Sequence, residues 1–428
     1  MERRTFFLGA ATAWGATRVL GANDKVNLAV IGIGGRGSAH VRYYLKIPDA
    51  RIAGLCDVNT AQTERATVVV DKAGGGKPKV FQDLRKLYED KDIDAVSIAT
   101  PNHWHALATI WACQAGKDVY CEKPATYNIF EANKVVEAAR KYNRMVQIGM
   151  QSRSMPYKMR AMELLHGGAI GKIYLAKGLC YKRRPSIGHK EDSPVPAGLN
   201  WDIFLGPAPM RPFNELRFKY NWHWFWDTGN GDIGNQGIHE MDVARWGLGR
   251  DLPMGTVSTG GKYVYHDDQE TPNTQIATFN YGDAELMFEV RGMMSGTEAT
   301  ITPAGTNVVG DIYLGENGYL STDHKGFQIF LGNKREPGES GVAEGEDTIP
   351  HMQNFLDVVK SRKYQDLHAD VAIGCASVKL VHMANISYRL GRSLKYDPKT
   401  DDFHDREANA MRTRQPEYRK PYVVPEKV

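Results

Sequence analysis

Val26–Ile31 is a nearly continuous apolar run, the pattern of a strand buried on both faces. Ile52–Cys56, Ala95–Ala99, Val119–Cys121 and Val146–Ile148 repeat it, and between them Ala106–Gln114 and Ile129–Tyr142 carry apolar residues at helical spacing. Strands alternating with helices predict a parallel sheet covered on both sides. The stretch AGGGKPK at 73–79 reads as a surface turn. The pattern changes after about Gly149. Residues 180–230 are rich in Pro, Gly, Trp and Tyr with little periodicity, which predicts long loops around a site. From about Gly255 the chain becomes strand-like: Thr274–Tyr281 and Ala284–Val290 form a hairpin, followed by Val308–Leu314 and Tyr319–Thr322. His351–Ser361 and Val371–Leu390 return to helix, and the tail from Pro398 wraps over the surface or a neighbouring subunit. The expectation is an α/β chain: a doubly wound parallel sheet at 23–150, then an α+β domain on a large open, mostly antiparallel sheet at 151–398, then a tail at 399–428.

Composition narrows the partners. The chain has 428 residues and a formal charge of only +4, with no basic stripe among aromatics, so nucleic acid is a poor fit. No apolar run approaches the ~20 residues of a spanning helix. Arg3 and Arg4 precede an apolar stretch from Phe6 to Ala16, with small residues at Gly21 and Ala22. Residues 1–22 therefore read as a twin-arginine export signal, which places the protein in the periplasm or otherwise outside the cytoplasm. The five cysteines lack CxxC spacing, and neither a disulfide framework nor a metal site is expected.

Candidate chemistry begins at Gly32-Ile33-Gly34-Gly35-Arg36-Gly37, a GxGxxG between a strand and a helical run. Its glycines permit a tight turn, close approach to a pyrophosphate and close helix–strand packing. Asp57, at the end of the next strand, is placed to accept hydrogen bonds from ribose hydroxyls; a carboxylate there repels a 2′-phosphate, so NAD is favoured over NADP. His40 reads as a helix-surface residue.

With these residues the chain resembles the glucose–fructose oxidoreductase, inositol dehydrogenase and rhizopine catabolism (Gfo/Idh/MocA) family. Further motifs carry the likeness: Thr100-Pro101-Asn102-His103-Trp104-His105, Glu122-Lys123-Pro124, Gly149-Met150-Gln151-Ser152-Arg153 and the stretch Gly229–Asp242. The resemblance implies a Rossmann domain and an open-sheet domain often used to form dimers or tetramers. It implies that Thr100, Pro101, Asn102, His105 and Glu122 line the cofactor, with a helix-start hydrogen bond the equal alternative for His105, that Lys123 is the catalytic lysine, and that His239 is the acid/base. An aspartate precedes that histidine by four positions in inositol dehydrogenase-like members; Asn235 stands there in this chain, where it can hold a substrate hydroxyl but cannot carry the proton. Asp242, three residues after His239, is expected on the same helix side, to orient the imidazole or meet substrate. Gln151 and Arg153 are expected to meet hydroxyls at the domain cleft. The aromatic run Asn221–Asp227 serves either to offer a sugar ring the flat face of Trp224 and the hydroxyl acceptors His223 and Asp227, or to pack the core or a subunit contact.

The function expected is NAD-dependent oxidation of a secondary hydroxyl on a sugar, glycoside or polyol. Export argues for a tightly held cofactor reset within each cycle. One alternative is a redox-neutral glycoside hydrolase working through a transient 3-keto intermediate, although the lysine of Glu122-Lys123-Pro124 is absent from one such group. The other is a non-catalytic sensor of NAD and sugar.

Overall fold

The computed structural model describes residues 25–293, 307–345, 348–414 and 417–428; the expected export signal at 1–22 lies outside the described residues. The first sheet is built from β1 (Val26–Ile31), β2 (Ala50–Cys56), β3 (Lys79–Phe81), β4 (Ala95–Ile98), β5 (Asp118–Cys121) and β6 (Val146–Ile148), with α1 (Gly35–Tyr44), α2 (Thr60–Lys72), α3 (Leu84–Tyr88), α4 (His105–Gln114) and α5 (Ile129–Lys141) between them. All pairings are parallel, in the order β3-β2-β1-β4-β5-β6. The order reverses at β1, and a crevice opens there at the carboxyl ends of the strands. Every residue of β1 is buried, as its apolar run requires. β3 corrects the surface turn expected at 73–79: the glycines do turn, but Lys79 already pairs with Gly54. Three residues on a sheet edge are too few to show a period.

After α6 (Pro156–His166), β7 (Ile173–Lys182) starts a nine-stranded sheet, followed by α7 (Trp201–Leu205), α8 (Gly231–Asn235) and α9 (Gly237–Leu248). The sheet adds β8 (Gly255–Gly261), β9 (Thr274–Asn280), β10 (Glu285–Arg291), β11 (Asn307–Gly315), β12 (Gly318–Asp323), β13 (Gly326–Leu331) and β14 (Glu336–Val342). α10 (Thr348–Ser361), α11 (Val371–Leu390), β15 (Leu394–Lys395) and α12 (Arg406–Ala410) complete the chain. The order is β14-β13-β12-β11-β7-β10-β9-β8-β15, antiparallel except for β7 with β10. β7 is central, although the sequence suggested loops from residue 180. Its helix-facing side carries Ala176, Gly178 and Cys180, too small to announce a core strand. β13 and β14 were not anticipated either; β14 is an exposed edge rich in Glu, Pro and Gly.

Glycines let α9 settle close on this sheet. A Cβ at Gly237 would lie 2.4 Å from the Phe288 ring, one at Gly247 would lie 2.4 Å from Tyr313, and one at Gly178 would lie 3.2 Å from the Cβ of Glu240. The two halves are not separate bodies. Met352, Phe355 and Leu356 of α10 pack in one cluster with Val26, Leu28 and Val30. The tail folds back over its own chain: Tyr418 donates to Glu131 at 2.7 Å, and Tyr422 meets Trp104 edge-on.

Residues 198–206 cross the crevice like a strap. At one lip, Asn200 N–H donates to Val58 O (2.8 Å) and Thr60 N–H to Gly198 O (3.1 Å). At the other lip, Trp104 Nε1–H donates to Ile203 O (2.9 Å) and His103 Nε2–H to Phe204 O (3.0 Å). Trp201 stacks on Phe204 with centroids 4.7 Å apart and holds the span together. No helix of the described residues is long and apolar enough to cross a membrane.

Candidate active site

The glycine loop has the shape a pyrophosphate needs. Gly32 has φ +80°, and a Cβ there would lie 2.8 Å from Thr100 N; a Cβ at Gly37 would lie 1.7 Å from Gly32 O. Gly34 and Gly35 face open space within 4 Å, and the N-terminus of α1 has no side-chain cap. Its N–H groups are therefore free for an anion. Thr100 Oγ1, across the loop, is buried without a hydrogen-bond partner among the described residues. These residues fit a dinucleotide. Asp57 accepts from Ile33 N–H (2.5 Å) and Asn59 N–H (2.8 Å), which leaves lone pairs on both oxygens for ribose hydroxyls. Burial raises its pKa to about 6 against the pull of those two N–H groups.

Below the loop, side chains hold each other. Glu122 Oε1 accepts from Arg36 Nε (2.8 Å), His40 Nε2 (2.9 Å) and Gln151 Nε2 (3.2 Å). Burial pushes this carboxyl up, but Arg36 and the His40 hydrogen bond outweigh it and hold the pKa well below the usual range. Two expectations are corrected here. His40 is fully buried, not on the helix surface, because its ring bridges Ser97 Oγ and Glu122. Gln151 is turned inward to Glu122 and Tyr120, away from any hydroxyl in the cleft. Glu122 anchors the floor of the crevice, and Arg36, its side chain 37% exposed, keeps donors at the rim. His105 places both ring nitrogens on carbonyls, Pro124 O (2.7 Å) and Thr100 O (2.8 Å), and so braces the two loops instead of offering a nitrogen to a cofactor. Pro101 O accepts from Trp104 N–H, closing the turn that carries Asn102, and Asn102 donates to Asn230 Oδ1. Its Oδ1 has no partner among the described residues.

Lys123 stands at the carboxyl end of β5. Its Nζ donates to the backbone carbonyl of Asn235 at 2.7 Å, so the end of α8 holds the ammonium in place. Burial lowers its pKa, with Arg36 and Arg184 adding to the fall and Glu122 and Asp232 opposing it. His239, in the first turn of α9, makes no protein hydrogen bond through its ring among the described residues. Burial and the Lys123 cation hold it at about 3, so it is a neutral imidazole near pH 7. The side chain of Asn235 donates to Tyr220 Oη (2.9 Å) and Asp232 Oδ1 (3.1 Å), and Arg184 grips Asp232 through two bonds of 2.8 and 3.1 Å. Tyr220, Asp232 and Arg184 were not expected. The aromatic run singled out in the sequence starts one residue after Tyr220, and Asp232 lies one helical turn before Asn235. Neither placement forms a motif, and only the fold brings them to Lys123.

Asp242 and Arg153 correct a further expectation. They form a buried two-bond pair (2.7 and 2.9 Å), Ser377 Oγ also donates to Asp242 (2.5 Å), and Arg153 lies 4.8 Å from the Trp246 ring centroid. Asp242 therefore turns to the guanidinium and does not orient His239, and neither member faces the cleft. Asp227 is paired with the Arg211 guanidinium (2.6 Å), which already engages its carboxylate. Trp224 is buried, its ring 5.7 Å from the Arg184 guanidinium. His223, by contrast, is half-buried and stacks on Trp222 with centroids 3.6 Å apart. No group of three metal-ligating side chains occurs among the described residues.

Comparison with known proteins agrees with this arrangement. Residues 26–150 match the oxidoreductase family with an NAD-binding Rossmann fold, and residues 175–290 and 315–424 match that family's C-terminal alpha/beta domain. The chain is similar to a glycosyl hydrolase family 109 protein of Saccharopolyspora erythraea, at 30% identity over 264 residues (60% of this chain, 50% of the relative). It is also similar to an inositol 2-dehydrogenase of Rubrobacter xylanophilus, at 32% over 160 residues (37% of this chain, 44% of the relative). The chain thus spans about half the length of these curated relatives. In fold it is similar to the WlbA dehydrogenase of Bordetella pertussis, solved with NADH and UDP-GlcNAcA: TM-score 0.63, 18% identity, 87% of this chain and 99% of that one. On the family match across both halves, the chain belongs to the Gfo/Idh/MocA oxidoreductase family.

Proposed function

We propose that this chain oxidises a secondary hydroxyl of a sugar, glycoside or polyol, with NAD as the resident cofactor. One observation carries the reading: an ammonium pinned at 2.7 Å to a backbone carbonyl, beside a neutral imidazole, at the carboxyl end of β5. Gly32–Gly37, Thr100 and Asp57 would hold the dinucleotide, and the Asp57 carboxylate favours NAD over NADP. When bound, NAD supplies the hydride acceptor. The chain's own residues handle the proton: Lys123 polarises the substrate oxygen, and His239, unprotonated near neutral pH, accepts the hydroxyl proton. Asn235 holds Lys123 through its backbone, so the position that carries an aspartate in some relatives acts here as a mount and not as a proton carrier.

Two features support a retained cofactor. The strap at 198–206 spans both lips of the crevice, and the twin-arginine pattern at 1–22 fits export to the periplasm of a chain already folded and loaded. A homo-oligomer is proposed from the family resemblance alone, since the Leu179, Tyr181 and Val308 cluster on the sheet face away from α9 is already buried within the chain. Native mass spectrometry of the purified protein should show bound NAD. Mixing with myo-inositol or with methyl glucosides and galactosides should give NADH absorbance in a single turnover. Protein free of nucleotide and active only with millimolar NAD would remove retention, and no NADH with any sugar would leave the sensor reading. A second reading, redox-neutral cleavage of a glycoside, is favoured by the likeness to a glycosyl hydrolase family 109 protein.

A further inference from the structure

The strap at 198–206 is gripped from outside by the tail. Arg419 donates to three acceptors on it: Nη1–H to Asp202 Oδ1 (2.5 Å), Nη2–H to Asp202 O (2.6 Å) and Nε–H to Gly206 O (3.1 Å). One guanidinium thus bridges the start of α7 and the residue after its end. Tyr422 Oη–H adds a bond to Asp202 Oδ2 at 3.0 Å. The tail is itself fixed to the first half of the chain. Tyr418 Oη lies 2.7 Å from Glu131 and 3.1 Å from Asn128 Nδ2 at the start of α5, and the Arg85 guanidinium of α3 lies 5.3 Å from the Tyr422 ring centroid. Trp104, strap and tail form one stack: a Cβ at Gly206 would lie 2.2 Å from the Trp104 ring, and Tyr422 meets that ring edge-on with centroids 5.4 Å apart. The strap rises from the second half of the chain, so Arg419 and Tyr422 staple it to the first.

The span is bounded by two residues suited to a hinge. Gly198 has φ +79° and Gly206 has φ +45°, backbone conformations that side chains disfavour. What the span covers follows from its lips. Val58 and Thr60 stand one and three residues beyond Asp57, the carboxylate placed for ribose, and Gln82 Nε2 donates to both Val58 O (3.0 Å) and Gly198 O (3.1 Å). Among the described residues, the hydrogen bonds from the strap to the first sheet's loops end at Val58, Thr60 and Gln82 on one side and at His103 and Trp104 on the other. None reaches β5 or Lys123. The strap therefore crosses the adenosine side of the crevice and leaves the nicotinamide side open.

We propose that Arg419 and Tyr422 are a latch that holds the strap down over the adenosine half of the dinucleotide, so that the cofactor enters or leaves only when the latch lets go. This rests on the NAD reading of the glycine loop and Asp57. A sugar can exchange at the open end while the dinucleotide stays in place. A gate lies on the way in and on the way out, so loosening it speeds both passages and leaves the equilibrium nearly unchanged.

Stopped-flow fluorescence of NADH reads both passages. Arg419→Ala should speed binding and release by about 10-fold each, from lost charge-assisted hydrogen bonds, with Kd within about threefold of wild type. Tyr422→Phe loses one hydrogen bond, keeps its ring against Trp104, and should speed both by about threefold. Arg419→Lys keeps the cation with fewer fixed donors and should fall between wild type and alanine. Hydrogen exchange in protein stripped of nucleotide reads the latch without the cofactor. The Asn200 and Thr60 amides should exchange about 10-fold faster in Arg419→Ala, while those of β1 and β4 keep their protection. Rates unchanged in all three variants, or release that speeds only with a proportionate loss of affinity, overturn the proposal. Faster exchange at Asn200 and Thr60 in a protein whose wild type binds no NADH would keep the tail as the strap's latch and remove the NAD reading.

Discussion

The floor of the crevice and the wall of the cleft are built from the same kinds of residue and differ in whether those residues are occupied. Glu122, His40 and Gln151 satisfy one another, and Arg153 and Asp242 do the same. Their chemistry is used up in holding shape. Among the described residues, the His239 ring and His223 Nε2 make no protein hydrogen bond, and Lys123 is mounted on the Asn235 carbonyl. Residue type and position in the chain do not separate the two groups; partners do. A carboxylate with three donors is an anchor, while an imidazole without such partners is a reagent.

Substitutions can test this division. Lys123→Met should lower turnover by about 10³-fold, with NAD binding measured by fluorescence nearly unchanged; an equal loss of NAD affinity would move Lys123 into the anchoring group. Asp242→Asn breaks a buried pair and should cost about 3 kcal/mol in denaturant unfolding. The surviving folded protein should keep its KM, and a raised KM at normal stability would return Asp242 to the substrate. Asp57→Asn should weaken NAD by roughly 10- to 100-fold through lost charged hydrogen bonds to ribose. It should also remove a pH effect. The folded pKa of Asp57, about 6, lies above the roughly 3.9 of an unfolded chain. The folded protein therefore holds the proton that the unfolded chain has lost, and this contribution to stability falls as pH rises from about 4 to about 6. Unfolding titrations across that window should show the slope in the wild-type protein and not in the variant. Asp227→Asn weakens the pairs with the half-exposed Arg211 and the more distant Arg217, and should change activity less than twofold and stability by about 1 kcal/mol.

Much of this was legible in the sequence, for local reasons. The glycine loop, Asp57 at the end of β2 and Lys123 after β5 follow from a strand–turn–helix grammar that keeps chemistry close to its motif. The hairpin of β9 and β10 showed in its alternation. What escaped notice was set at a distance. Arg184 reaches Asp232 across 48 residues, and Arg153 meets Asp242 across 89. The i, i+3 spacing of His239 and Asp242 allowed a pair, but Arg153 offered two hydrogen bonds where the imidazole offered one. β7 was obscured by the small residues that let α9 lie close to it. The edge strands β3 and β14 were too short or too polar to show a period.

The packing of α10 against the first sheet has a consequence for biogenesis. Val26 and Phe355 belong to one core that α1 and α2 cover only in part, so the patch under α10 stays bare until residue 355 has left the ribosome. At about 5–20 residues per second, the 328 intervening positions take roughly 15–65 s. For that time the nascent chain exposes a wet apolar surface, a target for holdase chaperones. The nucleotide-binding half, expressed by itself, should aggregate.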